Sequence, residues 1–323
     1  MMETALLGVE DLSVEYRARD GVVHALERVT FAVRRGETVA IVGESGSGKS
    51  STALAIMGLL PPAARIVAGR VLVNGVDLLA LEEGGRRHYR GGTLAMIFQG
   101  ARTALNPIRT VGRQIEDVVV RHAGLDRAAA RARTLELLAQ AQIADPARVS
   151  RAYPFELSGG MCQRVMIALA VACAPALLIA DEPTTGLDLT TQVAILETIR
   201  DLAERHAMAT LLITHDLALA GERADRIVVM HAGHVVEAAP TVELFRAPRH
   251  PYTARLIAST PRPGSVLDDV LPIPGGVPDL LGALPVCRFS ARCDRRIAAC
   301  DEHPLPSVAV AEAHVVACRV PLS

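Results

Sequence analysis

Between the apolar run Thr38-Val39-Ala40-Ile41-Val42 and a helix-forming stretch that begins at Ser50, the chain reads Gly43-Glu44-Ser45-Gly46-Ser47-Gly48-Lys49-Ser50. This fits the phosphate-binding pattern G-x-x-x-x-G-K-[ST], and it stands in the context that the pattern requires: buried strand, glycine loop, helix. The glycines let backbone N–H groups turn inward without Cβ clashes, and a helix N-terminus adds partial positive charge beneath a phosphate. Composition singles out the lysine. Lys49 is the one lysine among 34 Lys and Arg residues. A chain that otherwise uses arginine keeps a compact ammonium where a rigid planar fork would not fit. Ser50 offers its hydroxyl to Mg²⁺, and Ser45, Ser47 and Ser51 are the other loop side chains within reach of a nucleotide. The helix is expected from Ser50 to Leu60, stopped by Pro61-Pro62. By itself the loop specifies nucleotide phosphate and leaves many families open.

The 323 residues have room for two domains, and 50% hydrophobic with 21% charged content belongs to a soluble globular protein. A net charge of −1 gives no strong field directed at nucleic acid. The longest apolar run, Val165 to Ala180, is short for a membrane span and is broken by Pro175. Met1-Met2-Glu3-Thr4 carries no basic stretch leading into an apolar core, so the expectation is a cytoplasmic chain without an export signal. Residues 6 to 42 alternate short β-like runs with turns such as Arg19-Asp20-Gly21, which suggests an antiparallel sheet beside the nucleotide core. Residues 108 to 150 are rich in Ala, Arg and Leu, lack strand signals and read as a helical insertion. Strand and helix alternate again from about 176 to about 235. A shift to proline and glycine from Pro240 to Pro285 then marks a C-terminal extension that carries four of the six cysteines.

Three further motifs bear on chemistry. Leu157-Ser158-Gly159-Gly160 precedes an apolar helix expected over Met161 to Ala174, and it reads either as an anion site on a helix dipole or as an ordinary N-cap and turn. The strand Ala176 to Ala180 ends in Asp181-Glu182-Pro183, delivering two carboxylates to the C-terminal edge of a parallel sheet. There Asp181 suits Mg²⁺, and Glu182 is placed to orient and deprotonate a water attacking a γ-phosphate; the plainer alternative is a solvated turn. Thr210 to Thr214 is another buried strand, followed by His215. Cys162 and Cys173 lie on an apolar helix and read as small buried hydrophobes.

Taken in order, the phosphate loop, Gln99 after the apolar run Leu94 to Phe98, Leu-Ser-Gly-Gly, strand-Asp-Glu, Thr185-Gly186-Leu187-Asp188 and strand-His215 make a specific set. Over residues 6 to 240 the chain resembles ABC-transporter ATPase subunits. The resemblance implies an α/β fold: a phosphate-loop (RecA-like) ATPase core with an antiparallel β subdomain, a helical insertion at about 108–175 and, from 241 to 323, a small Cys-rich extension. It implies ATP and Mg²⁺, with the metal at Ser50, Gln99 and Asp181. Two subunits would face head to tail, each ATP lying between the Lys49 loop of one and Ser158-Gly159-Gly160 of the other. Tyr16 takes the place of the aromatic that stacks on adenine. Gln99 would sense Mg²⁺ and the attacking water, His215 would hold the γ-phosphate, and Asp188 would couple the two sites. Glu182, His215, Gln99 and Lys49 would carry the reaction. The usual glutamine after Leu-Ser-Gly-Gly is Met161 here.

A narrower resemblance lies in the tail. Arg249-His250-Pro251-Tyr252-Thr253, Ile273-Pro274-Gly275-Gly276-Val277-Pro278 and Cys287-Arg288-Phe289-Ser290-Ala291-Arg292-Cys293 look like the C-terminal region of dipeptide/oligopeptide importer ATPases, a type shared by peptide, nickel and glutathione systems. Met161-Cys162-Gln163-Arg164 resembles the same subfamily. This implies a second, related ATPase subunit, two transmembrane permease subunits and an extracytoplasmic solute-binding protein as partners, and no nucleic acid. The subunit would sit on the cytoplasmic face of the inner (plasma) membrane, its helical insertion receiving the permease coupling helices. The alternative is a soluble ABC-type ATPase in translation or DNA maintenance, against which count the near-neutral charge, the single cassette and the lack of long heptads. Finally, Cys287, Cys293, Cys300 and Cys318 crowd into 32 proline-rich residues, and a cytoplasmic location argues against disulfides. Zinc and [4Fe–4S] both accept four thiolates. Intervals of five, six and 17 residues contain no C-x₂-C, and some ATPases that the tail resembles carry an iron–sulfur cluster, so [4Fe–4S] is favoured over Zn²⁺, with His303 and His314 as spare ligands.

Overall fold

The computed structural model describes residues 5–261, 271–302 and 304–323. The N-terminal Met1 to Thr4, residues 262–270 of the proline- and glycine-rich stretch, and the suggested spare ligand His303 therefore lie outside the described residues. The chain forms two compact units. One comprises residues 1–33, 38–79 and 212–323, the other residues 34–37 and 80–211.

In the first unit, the strands Gly21–Arg34, Ala5–Ala18, Ala64–Val73 and Val76–Asp77 lie side by side in that order as a four-stranded sheet. Ala5–Ala18 runs antiparallel to Ala64–Val73, and Leu7, Val9, Leu12 and Val14 bury fully on it. The expected antiparallel sheet is thus present, but Thr38–Val42 does not join it, and Ala64–Val73 does. Thr38–Val42 instead lies parallel to Arg226–His231, with Ile41 opposite Val228. Val39 through Val42 have no exposed surface, which is why this strand is continuously apolar rather than alternating.

Arg226–His231 continues antiparallel into His234–Pro240, which pairs with His314–Val316, itself paired with Val308–Ala311. Two strands of the C-terminal extension therefore prolong the sheet that carries the phosphate loop. Two helices, Thr241–Arg246 and Pro251–Ala258, form within the proline- and glycine-rich stretch. Pro251 sits in the first turn, where its missing N–H is no loss, and His250 Nδ1 accepts from the Tyr252 amide at 3.0 Å.

The second unit holds the parallel pair Leu94–Ile97 and Leu177–Asp181, both buried throughout. Around it are Val111–Ala123, Arg127–Gln140, Pro146–Arg151, Gly159–Ala170 and Leu189–His206. The first three are the expected helical insertion. Val111, Ile115 and Val119 repeat every four residues to form its buried stripe, and Asp126 and Asp145 cap the second and third helices through their carboxylates.

Two expected boundaries move, for local reasons. The helix after the phosphate loop spans Lys49–Met57 and ends at Gly58 in the left-handed region (φ 62°), so the proline pair is not what stops it. The helix expected to reach Ala174 ends at Ala170; Pro175 disfavours helical backbone at Ala174, which has φ 45°. Among the described residues no helix is long and apolar enough to cross a membrane.

Candidate nucleotide-binding site

The strand Thr38–Val42 delivers its C-terminal end into the loop, and the loop closes around its own lysine. Lys49 Nζ donates to the Gly43 carbonyl at 2.9 Å and to the Glu44 carbonyl at 3.0 Å, and Lys49 is only 5% exposed. Gly43 is required by packing: a Cβ there would lie 2.1 Å from the Met230 carbonyl oxygen. Ser47 donates its N–H to Glu44, accepts at its carbonyl from Gly233, and buries a hydroxyl that has no hydrogen-bond partner among the described residues. The following helix begins at Gly48 with no side-chain cap, whereas the helices behind Ser158, Asp188 and Asp216 are capped by side-chain oxygens.

Other expected residues of this unit have their own partners. Tyr16, on the antiparallel sheet, shares a hydrogen bond with Ser51 Oγ at 3.1 Å, which ties the aromatic to the helix of the phosphate loop. His215 is exposed at the end of Ala209–Thr214, next to Asp216, whose carboxylate caps Leu217–Arg223.

Sequence reasoning assigned no role to Glu44. Its carboxylate receives both arms of Arg292, Nη1 at 2.8 Å and Nη2 at 3.0 Å, while its amide donates to Tyr252 Oη at 3.1 Å. Burial pushes the Glu44 carboxyl up, but the Arg292 hydrogen bonds and charge outweigh it and hold the group below its usual range. His231 lies beside it, wholly buried, its ring 4.4 Å from Tyr252 and 5.4 Å from Phe289. Desolvation lowers the His231 pKa to about 4, so the imidazole is neutral at pH 7. The available signal was the alternation of arginine with cysteine and Phe289 in residues 287 to 293, far in sequence from the loop.

In the second unit, Asp181 is buried at the end of Leu177–Asp181. Glu182 follows with φ 45°, a left-handed conformation that costs a non-glycine residue about 1 kcal/mol or more. Its Oε2 accepts from Gln99 Nε2 at 3.0 Å and from Thr185 Oγ1 at 2.8 Å. Ser158 is the N-cap of Gly159–Ala170, its hydroxyl accepting from the Met161 amide at 3.3 Å. Gly160 packs against the next helix: a Cβ there would come within 2.9 Å of Thr191 Cγ2. Asp188 caps that helix, accepting from Thr191 N at 3.0 Å and Thr191 Oγ1 at 2.6 Å, and these bonds hold its carboxyl below the usual range.

Of the two cysteines expected on the apolar helix, Cys162 is on it and buried, whereas Cys173 lies beyond its end at Ala170 and is half-buried. Cys162 is buried with its Sγ directed at the Pro154 carbonyl, and Cys173 approaches the Val118 carbonyl. Cys287, Cys293, Cys300 and Cys318 instead line one cavity, together with Phe289 and Arg295. Burial, followed by the neighbouring thiols, raises the Cys287 pKa to about 11, and burial also raises Cys293 and Cys318. The expected metal centre needs correction in two respects. Among the described residues no group of three or more His, Cys, Asp or Glu is placed to hold a metal ion. His314 is no spare ligand, because its Nε2 is bound to the buried Glu237 carboxylate at 2.7 Å.

Comparison with known proteins places this geometry. Residues 26–185 match a family model described as ABC transporter, and residues 236–300 match the oligopeptide/dipeptide transporter C-terminal region. The dipeptide transport ATP-binding protein DppD of Escherichia coli is 46% identical, over 90% of this chain and 88% of that protein. DppD of Bacillus subtilis is 42% identical, over 97% of this chain and 94% of its own length. Among solved structures, the ATP-binding cassette MJ0796, a dimer bound to ADP and Pi, superposes with TM-score 0.66 at 27% identity, covering 73% of this chain and 98% of that one. CbiO1 of Clostridium perfringens, part of an ABC transporter complex, gives 0.63 at 26% identity, over 75% of this chain and 91% of its own.

Proposed function

We propose, for a chain that belongs to the ATP-binding subunits of dipeptide and oligopeptide ABC importers, that ATP is held by the Gly43–Ser51 loop and hydrolysed with Glu182 as the residue that orients the attacking water. The family hydrolyses ATP to energise transport, and the relatives give no support to a soluble ATPase of translation or DNA maintenance. The observation that carries the site reading is Lys49: a buried ammonium that donates to the Gly43 and Glu44 carbonyls, beside a helix N-terminus without a side-chain cap. Those carbonyls hold the ammonium inside the loop, where phosphate oxygens would meet it. Mg²⁺, when bound with ATP, withdraws charge from the β- and γ-phosphates, and Ser50, Gln99 and Asp181 are the residues for it. Tyr16 supplies the adenine face, His215 a donor to the γ-phosphate, and Ser158, Gly159 and Gly160 the anion-binding segment offered to a partner subunit. Asp188 links the two sites. Residues 1–240 constitute the ATPase and 241–323 the extension.

The partners that fit this reading are a second, related ATPase, two permeases and a solute-binding protein, on the cytoplasmic face of the plasma membrane. The test is ATP binding and turnover by the assembled transporter with Lys49→Ala and Glu182→Gln. Loss of binding in the first and of turnover alone in the second is expected; wild-type behaviour of either removes that residue from its role.

A second reading concerns the extension: the four cysteines bind a [4Fe–4S] cluster. It is favoured by the one cavity that Cys287, Cys293, Cys300 and Cys318 line. Zinc also accepts four thiolates, and the intervals without a C-x₂-C pair are what favour the cluster. When bound, it would supply cross-linking of a segment with little core of its own.

A further inference from the structure

We propose that Arg292, in the C-terminal extension, is a positioning residue of the phosphate loop: it clamps Glu44 so that the Glu44 carbonyl holds Lys49 in place. The chain of contacts is continuous within one compact unit. Arg292 meets the Glu44 carboxylate with two hydrogen bonds, and its Nε donates to the Pro274 carbonyl at 2.8 Å, so the fork has one orientation. Tyr252, on the helix Pro251–Ala258, fixes the Glu44 amide. With its carboxylate and its amide both held, Glu44 presents its carbonyl to Lys49 Nζ at 3.0 Å.

Charge gives a second reason for the clamp. A carboxylate in a loop that receives a polyanion repels its ligand, and a nearby unpaired charge in a partly desolvated place is felt strongly. Glu44 is tolerable there because a buried bidentate guanidinium, 5% exposed on its side chain, neutralises it. Phe289 buttresses the arginine, with the guanidinium carbon 5.8 Å from the ring centroid, and the same ring packs on Tyr252 at 5.3 Å. Arg288, four residues earlier, braces the neighbouring turn by donating to the Ala232 and His24 carbonyls. Nucleotide affinity in this subunit therefore depends on residues some 240 positions beyond the loop.

The inference rests on the assignment of Lys49 to the phosphates, and the experiment separates the two. ATP affinity, KM and kcat are measured on the assembled transporter for Arg292→Met, Glu44→Gln, the double variant and Lys49→Ala. Because Lys49 is the one lysine of this chain, a single ¹³C-lysine side-chain resonance reports its environment in each when this subunit alone is isotope-labelled. Arg292→Met should weaken ATP binding about tenfold, raise KM, leave kcat within about twofold and shift the Lys49 resonance. Glu44→Gln in the same chain should restore affinity to within about threefold, because it removes the carboxylate that the arginine had neutralised. Should Arg292→Met not fold, Arg292→Lys, which keeps the charge but not the fork, is expected to show a smaller loss in the same direction. Wild-type affinity in both arginine variants, or equal loss in the single and double variants, would overturn the clamp. Wild-type affinity in Lys49→Ala would overturn the site reading itself.

Discussion

Gln99 and Glu182 are joined by a 3.0 Å hydrogen bond from the side-chain amide to Oε2, and Thr185 Oγ1 shares that oxygen. The two donors fix the orientation of the Glu182 carboxylate. Glu182, directly after the strand, has a left-handed backbone (φ 45°). Strain of this kind persists only where its surroundings enforce it, and it commonly marks a functional position.

Glu182→Gln keeps the shape and removes the base. ATP affinity should be retained while turnover falls by at least about a hundredfold, within the range for losing a general base. Gln99→Ala, which frees the carboxylate to rotate, should cost about tenfold, one charge-assisted hydrogen bond of about 1.4 kcal/mol. Single-turnover hydrolysis separates these effects from binding, and a wild-type rate in Glu182→Gln would refute the role.

Lys49 is a built-in reporter. Amine-selective labelling should modify Lys49 and the N-terminal amine alone, with MgATP protecting Lys49. Lys49→Arg should lose ATP binding, because a planar fork cannot occupy the position between the Gly43 and Glu44 carbonyls that the ammonium fills. Mass spectrometry of the labelled peptide reads the outcome, and equal labelling with and without nucleotide would count against the site.

The elements that were legible in the sequence are those whose signal is local. The loop, the strand Leu177–Asp181 with its two carboxylates, and the helical insertion each carry their cause within about ten residues: glycines for tight backbone, continuous apolar runs for buried strands, a four-residue repeat for helices. Ala64–Val73 was not legible, because it exposes much of its surface and alternates weakly. The docking of His314–Val316 on His234–Pro240 and the Arg292–Glu44 clamp were not legible either, since each depends on a partner more than 70 residues away. The helix ends moved for reasons written in the sequence, Gly58 and Pro175, that a stronger nearby signal had overshadowed.

Buried histidines set an acid limit. Desolvation lowers His231 to about 4 and His250 to about 3, so both are neutral in the folded chain while either accepts a proton more readily when unfolded. A depressed folded pKa means that the contribution to stability is full above the unfolded pKa near 6.5 and is lost as pH falls toward 4. The melting temperature should be flat from pH 8 to 7 and decline between 6.5 and 4. His231→Phe, which keeps a ring against Tyr252 and Phe289, should flatten part of that decline; an unchanged profile would show that other groups dominate.

For the cysteine cavity, anaerobic purification followed by iron, sulfide and zinc analysis should give about four irons per chain and a broad visible absorption near 400 nm for a [4Fe–4S] cluster. Cys293→Ser should lower the iron content and the melting temperature. Colourless protein with one zinc per chain would replace the cluster by a single ion, and metal-free protein with an ordered extension would remove both.

Peptide uptake into vesicles that carry this subunit with its permeases and binding protein, energised by MgATP on the side that holds the subunit, tests most directly whether the Lys49 loop powers import. Uptake by the wild type should require hydrolysable ATP and should fall in Lys49→Ala to the level measured without nucleotide. Uptake by Lys49→Ala at the wild-type rate, or ATP hydrolysis by the wild type that moves no peptide, would contradict it.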